Sequence, residues 1–402
     1  MPKKIGIFQY EWPLQIHTAN LAIKLAENGF QVDVYLYQCD STFINLSALS
    51  QNSGVKVYLF KRSFMERVAD RVVRDARRLF NLGYRQPDRI AKVTRKTLAS
   101  VAGNAGYDYF IGVEKRGLVW AGMLSEKLGA PFLYYSLELH IEGHPAFAGK
   151  SEFASIRSLE KKYHARAVAT IVQDELRGKA LLESNGITET NVIYIPVSVT
   201  GARVEKKSWF LHEKLGIDSS KRIVLYVGQV CKERGAIELI ECAGRLGDDL
   251  VLVLHGSILP GVPTGNDHGG RVFFSREIID SKDIPEMVSS AHIGLAFYTN
   301  DIINDRLTAF SSEKIAYYMQ SGLPLIAYSN ESYELLMQQH HCGELVERIE
   351  QVPEAVGRID ADYDRYRAAA FAAYEHFYSF DTNVRKLVEY LSRVDQGLAG
   401  GR

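Results

Sequence analysis

Ser311-Ser312-Glu313-Lys314-Ile315-Ala316-Tyr317-Tyr318-Met319-Gln320-Ser321-Gly322-Leu323-Pro324-Leu325-Ile326-Ala327 reads as a loop, a helix start, a tight Gly-Leu-Pro stop and then a buried strand. A helix that opens just after two serines brings unpaired backbone N–H groups and hydroxyls together, an arrangement suited to an anion. Ser311, Ser312 and Glu313 are therefore candidate phosphate ligands.

The same grammar extends in both directions. The N-terminus opens with a buried strand, Ile5 to Gln9, followed by a loop, a helix ended by Asn28-Gly29, and a second strand from Val32 to Tyr37. Further strands are expected at Val55–Phe60, Tyr109–Val113, Phe132–Ser136, Ala169–Val172 and Val192–Ile195. A polar stretch from Thr200 to Lys207 precedes a second start at Arg222–Gly228, with strands at Leu250–Leu254, Val272–Phe274, Ile293–Phe297 and Leu325–Ala327. Two Rossmann-like α/β halves imply ligand binding at the carboxyl ends of strands, in a cleft. The expected domains are 1–199 and 200–379, closed by a helix over 380–402 whose Val384, Leu387, Val388 and Leu391 share one face.

At 402 residues the chain exceeds one ordinary core, and its 46% hydrophobic and 24% charged residues are those of a globular protein. No apolar run is long enough to span a bilayer, so a cytoplasmic location is expected. The four cysteines are scattered without metal-ligand spacing. Acidic and basic residues balance at 48 each, leaving no global field for nucleic acid. The segment 60–96 departs from that balance, with twelve basic residues against four acidic ones and apolar residues at mostly helical spacing. It fits either an anionic membrane surface, which would make the protein peripheral on the inner face, or a solvated helix laced by pairs such as Asp70 with Arg74.

The Ser311–Ala327 run resembles the donor-binding segment of GT-B glycosyltransferases, especially retaining enzymes of family four, which often read Lys-Leu-Phe-Glu-Tyr-Met-Ala-x-Gly-x-Pro-Val-Ile here. Lys314, Tyr318, Met319, Gly322, Pro324 and Ile326 match it. Both glutamates of the family's Glu-x7-Glu pair are replaced, by Ala309 and Tyr317. The resemblance takes in the N-terminal strand and helix, Gly228 to Gly235, His255-Gly256 and Cys342–Val346. It implies a GT-B fold of two Rossmann-like domains, the first binding an acceptor and the second a nucleotide-sugar donor, with the last helix packed back on the first domain. It further implies transfer of a sugar from a nucleoside diphosphate to a glycan or lipid-linked acceptor, as in polysaccharide or glycoconjugate biosynthesis. No metal cofactor is expected.

Transfer from such a donor needs cations and N–H groups around the departing diphosphate. Where the family places an arginine after the loop glycine and a lysine five residues on, this chain has Gln229 and Arg234, in Gly228-Gln229-Val230-Cys231-Lys232-Glu233-Arg234-Gly235. Arg234 offers a bidentate fork, Gln229 a neutral donor and Lys232 a second charge. Glu313 or Tyr317 would meet the nucleoside. In the first half, Glu138, His140 and His144 follow a strand; the family's histidine near the transferred sugar makes His140 and Glu138 the catalytic candidates. Tyr10, Trp12, Glu114 and His144 are candidates for the acceptor. The contrasting reading, prompted by the two lost glutamates, is a non-catalytic GT-B protein that binds a sugar or a partner. A dinucleotide dehydrogenase is disfavoured because no Gly-x-Gly-x-x-Gly follows the first strand.

Overall fold

The computed structural model describes residues 2–10, 14–38, 49, 51–61, 68, 86–101, 106–141, 151–265 and 269–393. Trp12, His144 and most of the basic segment, 62–67 and 69–85, lie outside these residues.

The chain forms two compact units, one running to Ile195 and resuming at Val384, the other covering Pro196–Asn383. In the first, β1 (Lys4–Gln9), β2 (Gln31–Gln38), β3 (Val55–Lys61), β4 (Tyr109–Val113), β5 (Phe132–Tyr135), β6 (Ala169–Val172) and β7 (Asn191–Tyr194) form a parallel sheet in the order β3-β2-β1-β4-β5-β6-β7. In the second, β8 (Arg222–Val227), β9 (Leu250–His255), β10 (Val272–Ser275), β11 (Ile293–Ala296), β12 (Leu325–Tyr328) and β13 (Gly343–Val346) are ordered β10-β9-β8-β11-β12-β13. Both sheets are doubly wound. The order reverses between β1 and β4 and again between β8 and β11, so the loops leaving those strand pairs diverge and open a crevice in each unit.

The short apolar runs become strands because both of their faces are buried, as parallel sheets require. Along β8, Ile223 and Leu225 enter one core while Val224 and Tyr226 enter the other. Val251 and Val253 of β9 join the first core, and Leu250, Leu252 and Leu254 the second. Alternation with period two thus builds two cores from one continuous run. The last helix, Phe380–Arg393, belongs to the first unit from Val384 onward. Lys3 Nζ donates to the Leu391 carbonyl at 2.7 Å, and Tyr390 Oη donates to that of Val168 at 3.0 Å. Among the described residues, no helix is long and apolar enough to cross a membrane.

Candidate active site

The crevice between β8 and β11 collects the groups that point to an anion. At the end of β8, Gly228 takes φ +132°, and a Cβ there would sit 3.2 Å from Lys314 Nζ. The glycine lets the ammonium of Lys314 lie against the backbone. That lysine sits in the first turn of the helix Glu313–Gln320. Its Nζ is buried without any hydrogen-bond partner, 4.3 Å from the ring centre of Tyr298 and 4.8 Å from that of Tyr226. Burial, reinforced by the charge of Arg234, lowers its pKa to about 7.

Arg234 approaches from the turn Lys232–Arg234. Its guanidinium carbon lies 5.1 Å from the Tyr298 ring centre, and one nitrogen lies 3.9 Å from Asp305 Oδ2. Tyr226 Oη donates to the Gln229 carbonyl at 3.0 Å and fixes the loop that leaves β8. Tyr298, just past β11, is the hub: its ring faces both cations, and its hydroxyl hydrogen-bonds Ser312 Oγ at 2.8 Å. Ser312 is the N-cap residue by position, yet its side chain does not cap the helix. The amides of Glu313 and Lys314 open the helix and have no acceptor within it. Two cations, open amides and the positive end of a helix therefore converge, lined by the Tyr298 and Tyr226 rings with Asp305 as the nearby acid.

The other sequence candidates fall into different places. Ser311 Oγ donates to the Leu307 carbonyl at 3.1 Å, which commits the hydroxyl to its own turn. Gln229 is exposed, with its carbonyl taken by Tyr226. Lys232 and Glu233 line a neighbouring cavity of about 440 Å³ with Glu238, Asp301 and Glu350. Tyr317 donates its hydroxyl to the Glu313 carboxylate; burial raises the pKa of both groups. A carboxylate thus persists one turn before the position of the lost glutamate. The buried side chain of Ala309 offers no polar group. Tyr298 and Tyr226 were not singled out from sequence, and Lys314 was named only as a match to the resembled donor-binding segment, not as a ligand. The available signal was a lysine in the first turn of a helix, where a cation opposes the helix dipole and needs another reason to be there.

In the first unit, Glu114 opens the helix Glu114–Leu128 at φ +59°, a strained conformation for a residue with a side chain. Its Oε1 accepts the amides of Leu137 at 2.7 Å and Glu138 at 2.8 Å. Arg177 donates to the Leu137 carbonyl at 2.8 Å, and Gln173 to that of Ser136 at 2.7 Å. The loop after β5 is therefore held from three directions, with the Glu138 side chain exposed and His140 half-buried. Tyr10 is buried, stacked on Tyr37 at 4.6 Å and edge-on to Trp120 at 6.4 Å.

Asp360-Ala361-Asp362-Tyr363-Asp364 contains two overlapping Asp-x-Asp triplets, a spacing that elsewhere holds divalent ions. Here Asp360 pairs with Arg222 at 2.7 Å and His292 at 2.8 Å, and Asp362 pairs with Arg365 at 2.5 Å, next to the amino ends of the strands. Among the described residues, no cluster of three or more histidine, cysteine or acidic residues could hold a metal.

No family model matches the sequence, and no curated protein matches it. Solved structures do. The chain superposes on sucrose-phosphate synthase from Thermosynechococcus elongatus with a TM-score of 0.69 at 16% identity, covering 98% of this chain and 99% of that one. It superposes on Anabaena Alr3699/HepE in complex with UDP at a TM-score of 0.68 and 15% identity, covering 97% and 99%. WaaG, a glycosyltransferase involved in lipopolysaccharide biosynthesis, gives 0.63 at 12% identity, covering 97% and 100%. The chain has the GT-B fold. In this GT-B chain the cationic crevice belongs to the second unit, where β8 and β11 part.

Proposed function

We propose that the protein transfers a sugar from a nucleoside diphosphate sugar to a glycan or lipid-linked acceptor. The carrying observation is the buried ammonium of Lys314, unpartnered and beside Arg234 at a helix start. A buried ammonium with no hydrogen-bond partner destabilises the fold, Asp305 offsets the two cations only in part, and a diphosphate would supply the missing charge. On this reading Lys314, Arg234 and the Glu313 and Lys314 amides hold the diphosphate, with Ser312 positioned by Tyr298. The Glu313–Tyr317 pair meets the ribose. The charge that grows on the leaving phosphate is met by side-chain cations, so the reading requires no divalent ion. A retaining course follows if a leaving-phosphate oxygen takes the proton of the incoming hydroxyl on the same face. Glu138 and His140 are proposed to handle the acceptor.

Thermal-shift screening of UDP, GDP, ADP and their glucose conjugates tests this. At least one is expected to raise the melting temperature, with the shift largely lost in Arg234→Ala; equal shifts in both proteins would remove Arg234 from the phosphate site. If UDP-glucose is the donor that binds, its binding should restore the lysine's pKa. At pH 8 close to one proton should be taken up per molecule bound, and close to none at pH 6. Calorimetry in buffers of different ionisation heat measures this directly, and an uptake that does not vary with pH would show that Lys314 stays charged in the free protein.

Ala309 and Tyr317, which replace the carboxylates of the resemblance, favour a second reading in which the site binds a donor without turning it over. Release of glucose from a bound donor separates the two, because a purely binding protein releases none.

A further inference from the structure

A second polar cavity, of about 260 Å³, lies at the other end of the same sheet, where β8, β11 and β12 begin. With about 3.3 Å of rise per residue, the length of β8 puts it roughly 20 Å from the crevice described above. Its roof is the segment that follows Ile195. Val204 N donates to the Gln320 carbonyl at 2.8 Å, and Ser208 Oγ donates to that of Glu286 at 2.6 Å, so Glu205-Lys206-Lys207 is strapped between two fixed points. Lys206 and Lys207 both line the cavity, and among the described residues neither forms an ion pair. Arg367 lines it too, with one guanidinium nitrogen donating to the Glu205 carbonyl at 2.6 Å and the other N–H groups remaining. On the floor, Ser321 is 4% exposed, and its Oγ is buried with no partner.

The remaining charges leave this cluster net positive. The Glu205 carboxylate is paired with Arg203 at 2.7 Å. His292 lies between Asp360 and Arg222 and stacks on Tyr363 at 4.0 Å, and burial lowers its pKa. Asp364, the other acid lining the cavity, sits exposed in the first turn of the helix Tyr363–Ala373. Lys207 has its pKa lowered by burial and then by the charge of Arg222, as expected of an ammonium among cations.

We propose that this cavity is a second anion site, taking a small phosphate or phosphate monoester through Lys206, Lys207, Arg367 and the Ser321 hydroxyl. Three cations supply the charge, and the buried hydroxyl supplies the directional donor that a surface lysine patch lacks. The volume suits a compact ligand, being just below the range of about 300–1,000 Å³ typical of larger ligands. The inference does not depend on the donor reading, since no residue is shared.

Trp209 provides a reporter, because Lys207 Nζ lies 5.1 Å from its ring centre. The full chain carrying Lys314→Met, which disables the donor crevice, would be titrated with inorganic phosphate, glycerol 3-phosphate and, as an uncharged control, glycerol. Saturable binding of phosphate or its ester is expected, and glycerol should give none. A tighter ester would identify the monoester as the ligand class, and equal affinities the free phosphate. The double variant Lys206→Ala with Lys207→Ala should weaken binding by about tenfold or more. Ser321→Ala, which leaves the charge untouched, should weaken it severalfold. Absence of binding in the Lys314→Met chain, or affinity unchanged in both the lysine and the serine variants, would overturn the proposal.

Discussion

Lys314→Met is expected to weaken binding of the donor nucleotide by about 100-fold while making the free protein more stable. The two effects have one cause. The ammonium is buried against two tyrosine rings with no hydrogen-bond partner, and Arg234 adds like charge nearby. Methionine keeps the length and the apolar stem and removes the ion. The gain at neutral pH should be on the order of 2 kcal/mol, or roughly 4–8 °C in melting temperature for a unit of this size. Its pH dependence follows from the lowered pKa. Between about 7 and the ordinary value of 10.5 the unfolded chain holds a proton on this lysine that the folded chain has lost, so wild-type stability rises with pH across that window. The advantage of methionine is therefore full below about 7 and fades toward 10.5. Loss of a charge-assisted contact to a diphosphate should cost on the order of 100-fold in affinity. Melting curves from pH 6 to 10, with and without UDP-glucose, measure both effects; a variant less stable than wild type at pH 6, or one that keeps its nucleotide affinity, would contradict this account of the site.

Much of the fold could be read from the chain because both faces of a parallel sheet are buried, and the strands then stand out as apolar runs between polar loops. Ile293 to Ala296 and Leu325 to Tyr328 are such runs, and the Gly322-Leu323-Pro324 stop marks the turn between the second of them and its preceding helix. Arg234 was marked as a candidate by the resemblance, at the place where the family carries a lysine. Lys232, two residues earlier, looked equivalent in sequence, but the short helical turn sends it into the neighbouring acidic cavity. What decides between them is the packing of Tyr298, which follows a different strand and carries no local signal. Lys314, though part of the resembled segment, was not read as a ligand for a related reason: a lysine beside a glutamate in a helical first turn reads as surface until the loop from β8 is laid over it. The polar run from Thr200 to Lys207 reads as a separator between halves; only its backbone bonds to Gln320 and its neighbours show it as the roof of a cavity.

Gly256→Ala is expected to cost about 3 kcal/mol or more and to take the donor crevice with it. Gly256 follows β9 at φ +133°, where a side chain is strained, and an added Cβ would lie 2.0 Å from the carbonyl oxygen of Gly228 and 2.9 Å from its carbonyl carbon. Neither atom can yield without moving the loop that leaves β8, because Gly228 N donates to the His255 carbonyl at 2.9 Å and Val230 N donates to that of Ser257 at 2.8 Å. Gly228 is also the surface against which the Lys314 ammonium rests, so relief of the clash displaces the cation. Gly261 separates strain from contact. It has φ +92° with nothing within 4 Å of an added Cβ, and Gly261→Ala should cost only about 1 kcal/mol, with nucleotide binding kept. Urea unfolding of the two variants, paired with calorimetry of UDP-glucose binding to the folded fraction, resolves the contributions. Equal costs for the two alanines would mean that the strand ends of β8 and β9 do not need their close backbone approach, and the geometry that seats Lys314 would have to come from elsewhere.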